Sequence, residues 1–417
     1  MSRAEPLVII GAGIIGVCVA AYLAERGLAP LVIDRSGVVE ETSSGNAAAL
    51  AFSDILPLAQ KGMLRNLPRW LADPLGPLAV PPAYLPRLTP WLWRFWRAGH
   101  GDQQTAVNAQ AALMRLAEAE WLALMERSGT RRMLREDGSL ELYESEAEFS
   151  ASLPGWSVRE RCGIAFEHVN RPGIDRLQPG LGAMFVRGTF VPGWKTVSDP
   201  EHLGKAIWAH AERHGARFEA ATVEAVEPAG EASRLTLADG TEIVASRVVI
   251  AAGAWSHRFA RRFGDRIPLE TERGYNTTLP ADAFDLKRQL IFSSHGFVVT
   301  PLQTGIRVGG AVELGGLERP PDYRRARAML EKARRFMPGI RTQGGREWMG
   351  YRPSLPDSLP VIGRASGSQG VFHAFGHGHL GLTQAAATGR LIADLVSGNS
   401  PAIDPRPFRP DRFRGRI

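Results

Sequence analysis

The chain has 417 residues, 44% of them hydrophobic and 22% charged, with a formal net charge of +7; that is enough for a large core, and two domains are expected rather than one. The positive charge is spread thinly, in short clusters such as "RRARAML" and "RPDRFRGR", and no basic stripe with interleaved aromatics marks a nucleic-acid surface. Such an excess suits anionic substrates, an acidic partner or an anionic membrane surface. Two cysteines, Cys18 and Cys162, exclude a disulfide framework and fit no zinc spacing, and no His/Asp/Glu cluster has metal spacing, so no metal is expected. The start carries no basic secretory region, and no apolar run reaches the ~18 residues that span a bilayer. A cytoplasmic protein is the expectation.

In chain order, "PLVIIGAGIIGVCVAAYLAERGLAPLVIDR" reads as a β-α-β unit. Leu7 to Ile10 has the β-branched run of a buried parallel strand, Val17 to Arg26 has helical periodicity, Gly27 stops that helix, and Leu31 to Ile33 forms a second strand closed by Asp34. Between them, Gly11 permits a tight turn, Gly13 lets backbone approach a pyrophosphate, and Gly16 lets helix pack on strand, with Ile14 and Ile15 at the helix start. Free N–H groups and the positive end of the helix dipole favour phosphate there, and Asp34 can accept from ribose hydroxyls. The motif predicts an adenine dinucleotide.

An NAD enzyme would continue with further alternating strands and helices; this chain enters "SGVVEETSSGNAAALAF" instead. Ser43 and Ser44 can bond phosphate oxygens, while Asn46, Ala47, Ala48 and Ala49 leave room for a flat isoalloxazine ring. A helical, tryptophan-rich region follows, with three tryptophans from Trp91 to Trp96 in "LTPWLWRFWRAGH". That stretch either packs in a core or forms an exposed amphipathic patch for a membrane surface, where a quinone could take electrons. In "ATVEAVEP" strand backbone around Val223 can meet the adenine edge, and "RVVIAAGAWS" is a buried strand running into a glycine turn. "IPLETERGYNTTLP" and "QLIFSSHGFVVTPLQTGIRVGGAVEL" alternate as sheet strands. Near the C-terminus "GVFHAFGHGHLGLTQAAATGRLIADLVSG" is a strand, a glycine turn and a helix whose first N–H groups, near Gly378 to Thr383, can stabilise charge on a reduced flavin.

Together, GAGIIG with its Asp34, ETSSGNAA, VVIAAGAWS and FGHGHLGLT resemble the FAD-dependent D-amino-acid oxidase superfamily, most of all its bacterial D-amino-acid dehydrogenase and glycine/sarcosine oxidase branch. The resemblance spans nearly the whole chain. It implies an α/β plus α+β fold: a discontinuous Rossmann-like, glutathione-reductase-type FAD domain (1–58, 196–262, 346–417) and a substrate domain on a large antiparallel sheet (59–195, 263–345). Implied flavin contacts are Gly11, Gly13, Ile14, Ile15, Gly16, Asp34, Arg35, Ser43, Ser44, Asn46, Ala47, Ala48, Val223, Ala252, Gly253, Trp255, Gly378, His379, Leu380, Gly381 and Thr383. Some relatives tether flavin through a C-terminal-region Cys or a His after the TS motif; here the last cysteine is Cys162 and residues 42–52 hold no His, so FAD is expected to be non-covalent.

The resemblance further implies oxidation of a small amino-acid-like carboxylate, a D-, N-alkyl or imino acid, to an imine that hydrolyses to a 2-oxo acid. Hydride leaves Cα for flavin N5, which is mainly positioning work, and the reduced flavin passes electrons to O2 or a quinone-type carrier. Arg352 in "WMGYRPSLPDSLPVIG" matches the family's carboxylate-binding arginine, and a guanidinium is the usual bidentate clamp for that group. The plainer alternative is a buried arginine paired with Asp357 or a backbone carbonyl. Tyr275 is expected to face the flavin and His295 to line the pocket, against the alternatives of an ordinary sheet tyrosine and a surface histidine. Tyr351, beside Arg352, would point to the opposite face of a strand. Oxidation of a 2-hydroxy acid or glycerol 3-phosphate, and a flavin-binding subunit of a larger oxidase, are the competing functions.

Overall fold

The computed structural model describes residues 5–60, 76 and 78–414; the expected domain ranges also take in 1–4, 61–75, 77 and 415–417, which lie outside the described residues. The N-terminal unit folds as its pattern predicts: strand Leu7–Ile10, helix Ile14–Glu25 and strand Leu31–Asp34. These strands pair in parallel, and Arg247–Ile250 joins Leu7–Ile10 on its other side, also parallel. Arg217–Ala220 and the hairpin Val361–Arg364/Val371–Phe375 complete a six-stranded sheet.

Both faces of this sheet are covered, which is why its central strands are largely apolar. Ile9, Val32, Val249 and Phe372 pack on one side against helices Ile14–Glu25, Pro200–Arg213 and Gly381–Val396. Val8, Ile10, Ile33, Val248 and Ile250 pack on the other against a small three-stranded sheet through Val223, Val226, Leu235 and Leu237. Cys18 sits wholly inside the helical layer, and burial pushes its thiol pKa up; it is a small core residue.

A second, nine-stranded sheet runs Arg346–Ser354, Glu270–Leu279, Gly305–Leu314, Phe297–Leu302, Gln289–Phe292, Ser139–Tyr143, Arg187–Val191 and Glu167–Asn170, with Leu78–Ala79 beside Gly305–Leu314. It is antiparallel except where Gln289–Ile291 pairs with Ser139–Glu141 and Val312–Glu313 with Leu78–Ala79. Strand Arg346–Ser354, expected with the FAD-binding segments, is paired to Glu270–Leu279 from Arg346 to Ser354. One face of this sheet is closed by helix Arg324–Phe336, whose Met329, Ala333 and Phe336 meet Phe292, Phe297 and Val299. The other face looks toward the nucleotide-type sheet. Among the described residues, no helix is long and apolar enough to cross a membrane.

Candidate active site

A cavity of about 760 Å³ lies between the carboxyl ends of the parallel strands and the open face of the large sheet, where open α/β sheets place their ligands. At its nucleotide end stand Gly11, Gly13, Ile14, Ile15, Asp34, Arg35 and Ser43. Gly11 has φ +108°, and a Cβ there would lie 2.4 Å from the Ala251 carbonyl oxygen. Gly16, an implied flavin contact expected to let helix pack on strand, lies behind the wall instead, where a Cβ would come within 1.9 Å of the Gly11 carbonyl oxygen and 3.5 Å of the Ile9 side chain; it brings helix and turn together. Asp34 accepts from the Ala12 and Ser36 amides at 2.8 and 2.9 Å, bracing the turn. Arg35 pairs with Glu41 at 3.0 Å and lies over the Trp255 ring, 4.2 Å from its centroid. Val223, Ala252, Gly253 and Trp255 extend the same wall, and the Val223 carbonyl accepts from Arg258 at 3.0 Å.

The Ser43 hydroxyl accepts from the Ile14 amide at 2.9 Å, and a Cβ on Gly13 would stand 3.2 Å from that oxygen. This cradle, at a helix start whose N-cap residue Gly13 brings no side chain of its own, fits a pyrophosphate. Two further expected contacts are corrected. Ser44 turns its hydroxyl back onto the Glu41 carbonyl at 2.9 Å, closing its own turn. Ala48, at φ +55°, is fully buried behind the wall and donates its amide to Asn46 Oδ1 at 2.7 Å. Asn46 and Ala47 remain on the cavity. Their loop is held by the large sheet: Asn276 donates to the Gly45 carbonyl at 2.7 Å, Arg307 to that of Asn46 at 2.6 Å, and Thr300 to that of Ala47 at 3.1 Å. Burial lowers the Arg307 pKa to about 10.

At the far end, Gly378, His379, Leu380, Gly381 and Thr383 line the cavity, and helix Gly381–Val396 starts there with no capping side chain. The Thr383 hydroxyl is committed to the Ala49 carbonyl and Ala51 amide, at 3.1 and 3.0 Å. His377 is held by Thr388 at 2.9 Å, and burial drives its pKa down to about 3, so its ring is neutral. Burial also works to lower the His379 pKa, but Asp54, 3.2 Å from Nε2, outweighs it and the net shift is upward.

The floor is formed by three facing pairs in adjacent strands: Glu272 opposite Arg352, Gly274 opposite Gly350, and Asn276 opposite Trp348. Facing residues share one side of a sheet, and all six line the cavity. The glycine pair leaves bare backbone on which two large side chains lie flat. A Cβ at Gly274 would be 2.3 Å from Arg352 Nη2, and one at Gly350 2.1 Å from the Trp348 ring. Arg352 is half-buried on the cavity wall, and burial lowers its pKa against the opposing pull of Glu272. It donates to the Ala311 carbonyl at 3.2 Å. Asp357 is not its partner, being bound by Arg412 at 2.8 Å, and Arg352 forms no ion pair among the described residues. Its remaining donors are free for a carboxylate.

Tyr275 does not join Arg352, contrary to expectation. It follows Gly274, so its side chain points to the opposite face, into the core against Tyr323. There its hydroxyl donates to Glu313 and accepts from the Asp322 amide at 3.1 Å, and burial raises its pKa to about 12. His295 is also misplaced: Ser293, Ser294 and Gly296 line the cavity, while its own ring packs on Phe336 and bonds Glu144 at 3.0 Å. Tyr351 turns to Trp255 and the Leu317 carbonyl. Helix Leu85–His100 divides its aromatics. Trp91, Leu92 and Phe95 line the cavity, whereas Trp93 and Trp96 are 56% and 38% exposed and stack on each other.

A family model described as FAD dependent oxidoreductase (DAO) matches residues 6–395. The chain belongs to that family. A D-amino-acid oxidase of Bradyrhizobium diazoefficiens is 34% identical to it over 99% of this chain and 100% of that protein. A D-amino acid dehydrogenase of Sinorhizobium medicae is 32% identical over 95% and 97%. Among solved structures, glycine oxidase from Geobacillus kaustophilus superposes with a TM-score of 0.76 at 24% identity, covering 98% of this chain and 99% of that one. The chain is thus an FAD-dependent oxidoreductase of the DAO family with that fold. The Gly13–Ser43 cradle and the open helix start at Gly381 have the donors that an FAD pyrophosphate and flavin edge require.

Proposed function

We propose that the protein oxidises an α-amino acid, a D-, N-alkyl or imino acid, to an imine that water converts to a 2-oxo acid. The observation that carries this reading is Arg352, a guanidinium in the cavity with no carboxylate partner among the described residues. FAD, when bound, supplies the two-electron acceptor for the hydride from Cα. The chain does the positioning: Arg352 fixes the carboxylate, the glycine pair lets Arg352 and Trp348 lie flat on the sheet, and Trp91, Phe95, Phe297 and Leu314 keep water from the reacting carbon. The relatives' names support an amino-acid substrate. Nucleotide contacts at the residues above, non-covalent retention of FAD, and a domain division in which the chain leaves the substrate sheet after Ser354 belong to the same proposal. Anaerobic addition of an amino-acid panel should bleach the flavin band with one class of amino acid and not with 2-hydroxy acids or glycerol 3-phosphate; bleaching by those alone would refute it.

Exposure of Trp93 and Trp96 on the helix that roofs the cavity, with Arg87 and Arg97 also exposed on it, favours a second element: contact with an anionic membrane surface, where a quinone would accept electrons in place of O2. Co-sedimentation with anionic vesicles is expected for the native protein and should fall at least several-fold in Trp93→Ser/Trp96→Ser. Equal sedimentation of both proteins would remove the membrane from the scheme.

A further inference from the structure

We infer that Glu272 holds the amino group of the substrate while Arg352 holds its carboxylate. This rests on the amino-acid reading above and assigns the second half of the same site. Glu272 is 6% exposed and lines the cavity. Neighbouring carboxylates on these strands are satisfied: Glu270 accepts from Tyr84 at 2.9 Å and from the Thr271 amide at 2.8 Å, and Glu313 is bound by Arg273 at 3.2 Å and Arg319 at 3.3 Å. Glu272 has neither a hydrogen-bond donor nor an ion pair among the described residues. A buried carboxylate left so is costly unless something else supplies the donors.

The obvious donor is Arg352, its cross-strand neighbour. Yet Arg352 lies down over Gly274 and reaches the Ala311 carbonyl instead. The two charges influence each other without touching, side by side on one face of the sheet. His379 senses both but is bound to Asp54. A molecule that fits between should carry an anion and a cation close together, as an α-amino acid zwitterion does with both groups on Cα. Glycine at 274 lets Arg352 keep this position, since a Cβ there would lie 2.3 Å from its Nη2 and push the guanidinium away. A 2-hydroxy acid would satisfy Arg352 equally and leave Glu272 without a cation, so Glu272 selects amine over alcohol.

The test uses the flavin-loaded enzyme and an amino acid that bleaches the native flavin. Glu272→Gln keeps the shape and removes the charge. Its apparent Kd for that amino acid, read from anaerobic flavin reduction, is expected to rise by roughly 30-fold or more, the range for a broken buried charge pair. Benzoate, a carboxylate with no amine, should perturb the bound flavin's spectrum with a Kd unchanged or lower. Glu272→Asp, which keeps the charge but withdraws it, should fall in between, and benzoate binding shows that each variant is folded. Equal weakening of amino acid and benzoate would make Glu272 a support for Arg352 alone and overturn the inference. So would an unchanged amino-acid Kd, or a loss confined to substrates with cationic side chains. If the native flavin is bleached only by hydroxy acids, the amino-acid reading itself fails, before any variant is made.

Discussion

Replacing Arg352 by alanine is expected to lower kcat/KM for carboxylate substrates by roughly 30- to 5,000-fold, the equivalent of about 2–5 kcal/mol for one partner of a desolvated charge pair. The loss should fall mainly on KM, because the guanidinium grips a group that does not change during the reaction. Flavin content and thermal stability should change little: among the described residues Arg352 makes one hydrogen bond, to the Ala311 carbonyl. Lysine at this position should recover only part of the binding, since an ammonium cannot make the two parallel bonds of a guanidinium. Steady-state kinetics with intact flavin absorbance checks all three statements. Unchanged KM would make Arg352 a sheet residue whose charge serves only Glu272.

Gly16→Ala is expected to cost the protein its flavin and much of its soluble yield. In an ordinary helix this substitution would stabilise by about 0.5–1 kcal/mol. Here the added methyl would lie 1.9 Å from the Gly11 carbonyl oxygen. Helix and turn are both main chain at that point, so no side chain can swing away, and the helix start must lift off the strand. Gly13→Ala should be milder, because its methyl meets the Ser43 hydroxyl at 3.2 Å and the fold can accommodate it; flavin affinity should drop while the melting temperature holds. The ratio of flavin to protein absorbance, together with a thermal melt, separates these outcomes. A Gly16→Ala protein that stays yellow would show that the turn is looser than its geometry.

The parts of the site that were legible in the sequence are those encoded by neighbours. The N-terminal β-α-β unit is a local pattern of apolar period, glycine spacing and a closing Asp34, and its strands and helix formed where they were expected. Arg352 was legible through its match to the family's arginine, in a stretch where it is the one cation among Trp348, Tyr351 and three prolines. What remained hidden depends on register. Glu272 reads as one charge among several in "ETERGYN" until pairing with Arg346–Ser354 places it opposite Arg352. The same register fixes which face Tyr275 takes; Gly274 beside it was the available clue, since a glycine facing a cavity sends the next side chain away. Ser44 failed for a local reason, a hydroxyl reaching its own turn carbonyl sooner than a ligand. Arg307 and Asn276 were missed because they hold the loop Gly45–Asn46 across more than two hundred residues, a distance no spacing rule covers.

The six-stranded sheet has a consequence for how the molecule is made. Its first strand, Leu7–Ile10, has Arg247–Ile250 as a neighbour, and that strand needs Val371–Phe375 beside it. The helical layer over the same core is completed by Gly381–Val396, which packs directly on the first helix, with Gly389 against Cys18. A chain emerging from the ribosome therefore carries this apolar strand and helix with Leu31–Asp34 beside them, while their other lasting partners do not yet exist. Pairings this distant are slow to form, and the surfaces waiting for them are open to aggregation. The cofactor cradle, though written between Gly11 and Ser43, cannot be finished until Val371–Phe375 and Gly381–Val396 have arrived.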